Sequence, residues 1–146
     1  MLKAERTTNI KEIYLGMTDP DIWDRIRFDG QDLSEFYPKE GLYYTVKNKN
    51  EVIGLALFEP IRPELVKYHP MVFKEHRRHS DEFHKLVIDK LFADVGKREI
   101  VAEFPSCFRD IRLVMGRSGF KEMCRLKNAA KRDGKVCDLI VAQYGV

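Results

Sequence analysis

Apolar positions fall first at helical spacing, then in strand-like runs, and then in an alternation of the two. Ile10, Ile13, Tyr14 and Met17 share one side of a helix that Thr7 or Thr8 would cap. Residues 2–4 allow a short strand before it. Asp19 followed by Pro20 is a start signal for a second helix, an N-cap carboxylate and then proline at the first helical position. That helix would carry Ile22, Trp23 and Ile26 and end near Phe28-Asp29-Gly30. Residues 30–41 are polar and turn-rich. From Leu42 the composition becomes aromatic and β-branched, which suits a strand over 42–46. Asn48-Lys49-Asn50 is a turn, and the apolar run 51–58 completes a hairpin. Pro60 and Pro63 are read as breaks. A third strand is expected over 65–73, with Pro70 at a bulge or unpaired position.

A strongly periodic helix follows. Ser80 is its expected N-cap, and Asp81 and Glu82 occupy the first turn, where the helix dipole favours acids. Phe83, Leu86, Val87 and Leu91 form the apolar stripe, Ile88 and Phe92 widen it, and Gly96 stops it. Residues 99–104 form a strand that Pro105 ends. Ser106 would cap a helix holding Phe108, Ile111, Val114 and Met115, closed by Gly119 with Phe120 as the apolar contact. Asp133-Gly134 is the turn of a last hairpin with flanks 121–130 and 135–144. Hairpins around a strand–helix–strand unit imply an α+β fold (an α/β mixed sheet). A right-handed crossover would join its parallel central strands.

The composition narrows the classes. A chain of 146 residues with 44% hydrophobic side chains supports one domain, 1–146, with a real core. The 26 basic and 23 acidic residues nearly cancel, which argues against a dedicated nucleic-acid binder. No apolar run reaches bilayer length, and the N-terminus has no signal-peptide pattern, so a cytoplasmic protein without membrane partners is expected. Cys107, Cys124 and Cys137 have no metal-like spacing; free, mostly buried thiols and no metal are expected.

The ordered series Arg117-Ser118-Gly119-Phe120-Lys121-Glu122, Cys124-Arg125-Leu126-Lys127, Arg132-Asp133-Gly134-Lys135 and Asp138 resembles the closing segment of the GNAT family of N-acetyltransferases. A narrower similarity, carried by Thr18-Asp19-Pro20-Asp21-Ile22-Trp23, Val52-Ile53-Gly54, His69-Pro70 and His76-Arg77, is to small GNAT-like proteins of tailed bacteriophages. The resemblance implies a central mixed sheet with helices on both faces and acetyl-CoA as cosubstrate. It implies transfer of an acetyl group to an amine or protein acceptor that the sequence does not specify. The alternative is a catalytically degenerate GNAT-fold phage protein, a virion or head-assembly component with phage structural proteins as partners. Host-cell cytoplasm or virion would then be its location.

By the same resemblance, acetyl-CoA would lie between the strands 65–73 and 99–104, along Met71, Val72 and Phe73. Its pyrophosphate would sit on Arg77, Arg78, His79 and Ser80, at a helix N-terminus suited to anions. Ser80 and Glu82 stand where the family uses glycine or alanine. Attack of an amine on a thioester requires a base. His69 is the first candidate and Glu103 the second, with structural readings for both: a hydrogen-bonded sheet histidine and a solvent-facing strand carboxylate. Met115 and Phe108 stand where many members carry a tyrosine acid and an asparagine, and Tyr68 is the candidate substitute for that acid. Cys107 is read as a small buried residue at a helix start. Phe36, Tyr37, Tyr43 and Tyr44 are candidates for a cleft wall, and the run 127–132 reads as exposed basic hairpin surface.

Overall fold

A computed structural model describes all residues, 1–146. Seven strands form one mixed sheet in the spatial order β1-β2-β3-β4-β5-β7-β6. They are β1 (Leu2–Thr7), β2 (Leu42–Asn48), β3 (Glu51–Arg62), β4 (Leu65–Val72), β5 (Glu99–Pro105), β6 (Phe120–Arg132) and β7 (Lys135–Tyr144). The helices are α1 (Ile10–Met17), α2 (Pro20–Ile26), α3 (Ser80–Val95) and α4 (Arg109–Arg117). Every neighbouring pair is antiparallel except β4–β5, which is parallel and is joined through α3.

Strand alternation splits the core into two. Tyr44, Ala56, Phe58, Val66, Tyr68, Ile100, Ala102, Phe104 and Ile140 face α3 and α4, where Phe83, Val87, Ile88, Leu91 and Met115 bury against them. On the other face, Tyr43, Leu55, Leu57 and Met71 pack under Ile13, Met17 and Ile22 of α1 and α2. Helices therefore cover both faces, as expected.

Several local signals fold as read. The Asp19 carboxylate accepts from the N–H groups of Asp21 and Ile22, with Pro20 first in the helix. Asp133 (φ 52°) and Gly134 (φ 80°) make a hairpin turn with two positive φ values. The Asp29 carboxylate, just beyond α2, accepts from both turn N–H groups at 2.9 Å. These bonds, from Gly134 and Asp133, hold its pKa below the usual carboxylate range.

Other expectations are corrected. Asn9, not Thr7 or Thr8, caps α1, and β1 runs to Thr7 because it pairs with β2 from Asn48 back to Tyr43. Pro60 does not break the chain. β3 continues to Arg62 and absorbs the irregularity as a register shift between Pro60 and Arg62. Pro70 lies in register opposite Ala56. Phe73 N–H donates to Ile53 O (3.0 Å), and the antiparallel alternation then directs the backbone of Pro70 away from β3, where no N–H is required. Arg132 is buried, not exposed. Its guanidinium donates to the carbonyls of Asp24 and Arg27 at the end of α2 and lies 5.2 Å from the Phe108 ring centroid. Cys107 and Cys124 are exposed and Cys137 is half-buried, because residues 121–139 of the β6–β7 hairpin and the β5–α4 turn contribute nothing to either core.

Candidate active site at the splayed central strands

The parallel pairing of β4 and β5 covers only Leu65–Lys67 against Glu99–Val101. Beyond it the two strands part, although β5 stays paired with β7 as far as Pro105 opposite Leu139. A wedge therefore opens in the middle of the sheet. Hydrogen-bond alternation shows which backbone groups line it. The bond from Phe73 to Ile53 assigns the backbones of His69, Met71 and Phe73 to β3 and those of Tyr68, Pro70 and Val72 to the wedge side. Ser106 N–H donates to Asp138 O (2.8 Å), which assigns Ala102 and Phe104 to β7 and Glu103 and Pro105 to the wedge side. Of Met71, Val72 and Phe73, only Val72 thus turns its backbone toward the opening.

The segment after β4 is a 3-10 helix, Lys74–His79, that runs directly into α3. Ser80 is the first residue of α3 rather than its cap. It already has helical dihedrals, and its hydroxyl donates back to Arg77 O (2.8 Å). His79 occupies the cap position without a side-chain bond, so no side chain occupies the N-terminal donors of α3, whereas Asn9 and Asp19 cap α1 and α2. Arg77 is ion-paired with Asp21 of α2, which ties this corner to the opposite face. Arg78 is exposed and donates to Glu75 O (3.0 Å). The acid at Asp81 is partly offset, since Arg117 of α4 lies 3.3 Å from it. A cavity of about 290 Å³ begins at Asp81 and runs between α3 and the end of α4, past Lys85, Asp89, Arg117, Ser118 and Tyr144. A smaller one, about 180 Å³, lies between α4 and β5–β7, lined in part by Phe104, Arg112, Met115 and Phe120.

On the α1–α2 face, beside the wedge, five charged or titratable side chains come together. His69 Nε2 lies 3.0 Å from Glu59 Oε1, and Lys67 Nζ lies 2.6 Å from Glu103 Oε2. Lys39 approaches Glu59 at 3.8 Å. Burial lowers the His69 pKa below its ordinary 6.5, and the bond to Glu59 only partly opposes this. Burial pushes the Glu59 carboxyl up, but its bond to His69 and the charge of Lys39 outweigh it and hold the carboxyl low. Neutral pH therefore gives a neutral imidazole beside an ionised carboxylate. A carboxylate only accepts, so Nε2 carries the ring proton and Nδ1 carries the free lone pair.

Tyr68, adjacent to His69 in the chain, lies on the opposite face. It is buried, its hydroxyl is 2.8 Å from His84 Nδ1, and burial raises its pKa. The hydroxyl is committed to the α3 core, and His69 and Tyr68 do not share a site. His84 has its own pKa lowered to about 4 by the same burial. The aromatic group divides in the same way. Tyr44 bonds Asp94 under α3, whereas Tyr43 and Phe36 pack on the α1–α2 face and Tyr37 is exposed. Met115 is buried in the core, and Phe108 is held between Arg25 and Arg132.

Glu59 and Lys67 were not singled out from the sequence. Reading Pro60 as a break removed Glu59 from the hairpin. Once β3 is continued, the register sets Glu59 opposite Lys67 and two residues from the partner of His69.

The chain matches no protein-family model and no curated protein sequence. Solved structures do match. A spermidine N-acetyltransferase from Vibrio cholerae, in complex with CoA and spermine, superposes with a TM-score of 0.78 at 13% identity, over 97% of this chain and 94% of that one. An N-acetyltransferase from Staphylococcus aureus Mu50 gives a TM-score of 0.70 at 15% identity, over 99% and 97%. The chain has the GNAT fold. The mixed sheet and the helices on both faces, expected from the closing segment, are those of the GNAT fold over nearly the whole chain. His69 of β4 and Glu103 of β5 stand on the two sides of the splay, just beyond the paired residues.

Proposed function

We propose that this protein is an acetyl-CoA-dependent N-acetyltransferase for an amine acceptor, with His69 as the general base. The wedge between β4 and β5, with the uncapped N-terminus of α3 following the end of β4, is the observation that carries this reading. The residues fit acetyl-CoA in two respects. The wedge-facing backbone at Tyr68, Pro70, Val72 and Glu103 offers carbonyls and N–H groups to a chain of amides. The first turn of α3, with Arg78 and Arg117 nearby, offers donors and positive charge to a pyrophosphate. Bound there, acetyl-CoA supplies the acetyl group as an activated thioester.

The protein's part is proton management and placement. His69 is neutral at pH 7 and held in one tautomer by Glu59, with Nδ1 free to take a proton from an ammonium or an attacking amine, directly or through one water. Glu59 stabilises the imidazolium that results. Lys67 holds Glu103 in a 2.6 Å pair, so Glu103 is a charge-positioned neighbour of the base rather than a second free base. Arg77, through Asp21, fixes the start of α3 against α2.

The test is a transfer assay over a panel of primary amines and polyamines. CoA thiol release is followed together with the mass of the acceptor. The expected result is amine-dependent thiol release matched by acetylated acceptor. Release no faster than thioester hydrolysis in buffer, across the panel, would contradict the reading.

A further inference from the structure

Outside this site, two cysteines meet. Cys107 lies in the turn between β5 and α4, and Cys137 lies on β7. The β5–β7 register runs from Val101 opposite Gln143 to Pro105 opposite Leu139, and continuing it by two residues sets Cys107 opposite Cys137. Ser106 and Asp138 form the hydrogen-bonded pair just before, through Ser106 N–H to Asp138 O at 2.8 Å, so the cysteines occupy a non-hydrogen-bonded position, where cross-strand side chains come closest. Asp138 N–H also donates to Ser106 Oγ (3.0 Å), which holds the turn flat against β7. The two sulfurs are 3.1 Å apart, in hydrogen-bond contact, and Cys107 is exposed to solvent.

We propose that Cys107 and Cys137 are a reversible dithiol–disulfide site whose reactant is a low-molecular-weight disulfide of the glutathione type. Cys137 is the attacking thiolate. Burial pushes its pKa up, but the Cys107 thiol and backbone N–H and the Ser106 hydroxyl and backbone N–H outweigh burial and lower it. Its sulfur attacks one sulfur of the reactant, forming a mixed disulfide and expelling the first small thiolate. Cys107 then gives its proton to solvent and attacks the Cys137 sulfur, expelling the second. The protein loses two electrons and two protons, and the small disulfide becomes two thiols. Bond formation needs the sulfurs to close by only about 1 Å, to the usual S–S length near 2 Å. The bond would staple the turn that launches α4 to β7 and close a loop spanning 30 residues. Cys124, exposed on β6, has no sulfur within hydrogen-bond reach and takes no part in the exchange.

The experiment uses the full chain carrying Cys124→Ser, incubated with excess glutathione disulfide and analysed by intact mass, maleimide labelling and thermal denaturation. The expected product is two hydrogens lighter, unlabelled by maleimide, and raised in Tm by roughly 5–10 °C. Dithiothreitol should restore both thiols and the original Tm. Adding Cys107→Ser should stop the reaction at the glutathione adduct. Two thiols that stay labelled, or a glutathione adduct that persists with Cys107 present, would overturn the proposal.

Discussion

Replacing His69 with alanine is expected to lower kcat by about 10²–10⁴-fold while leaving acetyl-CoA affinity nearly unchanged. The separation follows from position. The backbone of His69 bonds to β3, and its side chain points to the α1–α2 face, so truncation removes no group from the wedge. The pH dependence provides a second readout. A base is active when unprotonated, so activity should fall as pH drops through the His69 pKa. Burial sets that limb below 6.5. Glu59→Gln removes the carboxylate that favours the imidazolium, so the limb should move to still lower pH, with reduced kcat because the tautomer is no longer held. A His69→Ala variant with undiminished kcat and an unchanged acid limb would remove His69 from the mechanism.

Gly54→Ala should produce a large loss of stability from one added methyl. The new Cβ would lie 2.8 Å from Met71 O, 2.8 Å from Phe83 Cε2 and 3.1 Å from Val72 Cα. Two of these are backbone atoms of β4, fixed by pairing with β3, and Phe83 is wholly buried in the first turn of α3. Relief requires moving α3 off the sheet. A destabilisation of about 3 kcal/mol is expected, read as a fall in Tm of roughly 10 °C. Gly116→Ala, in α4, is the matched control, because its added methyl meets nothing within 4 Å and helix propensity favours alanine. A Tm within a degree or two of the parent is expected there. Equal effects at the two positions would contradict the packing argument. Gly54 also bears on function, since the close approach it permits sets the N-terminal turn of α3 at the end of β4.

Some of this organisation was legible in the residues. Asp19-Pro20, Gly96 and Asp133-Gly134 act through local chemistry, a cap, a stop and a turn, and local chemistry is what a sequence displays. The apolar stripe of α3 declared its buried face for the same reason. The site was legible only in part. His69 and Tyr68 both have side chains suited to one catalytic centre, but neighbours in a strand point to opposite faces, and only the sheet reveals which face meets which helix. Ser80 has the chemistry of an N-cap, yet the preceding 3-10 helix already holds it in helical dihedrals, so its hydroxyl bonds backward and α3 is left uncapped. Glu59 was hidden by Pro60, because a proline ordinarily ends a strand and here is accommodated by a register shift. The splay of β4 from β5 has no local signature at all. It arises from how far two distant segments stay in register.

That splay, read as an acetyl-CoA site, is the central claim, and calorimetric titration of the protein with acetyl-CoA tests it most directly. One molecule is expected to bind per chain, with a Kd in roughly the 1 μM–1 mM range usual for enzyme substrates, accompanied by a ligand-dependent rise in Tm and competed by CoA. No binding heat and no change in Tm at millimolar acetyl-CoA would contradict it.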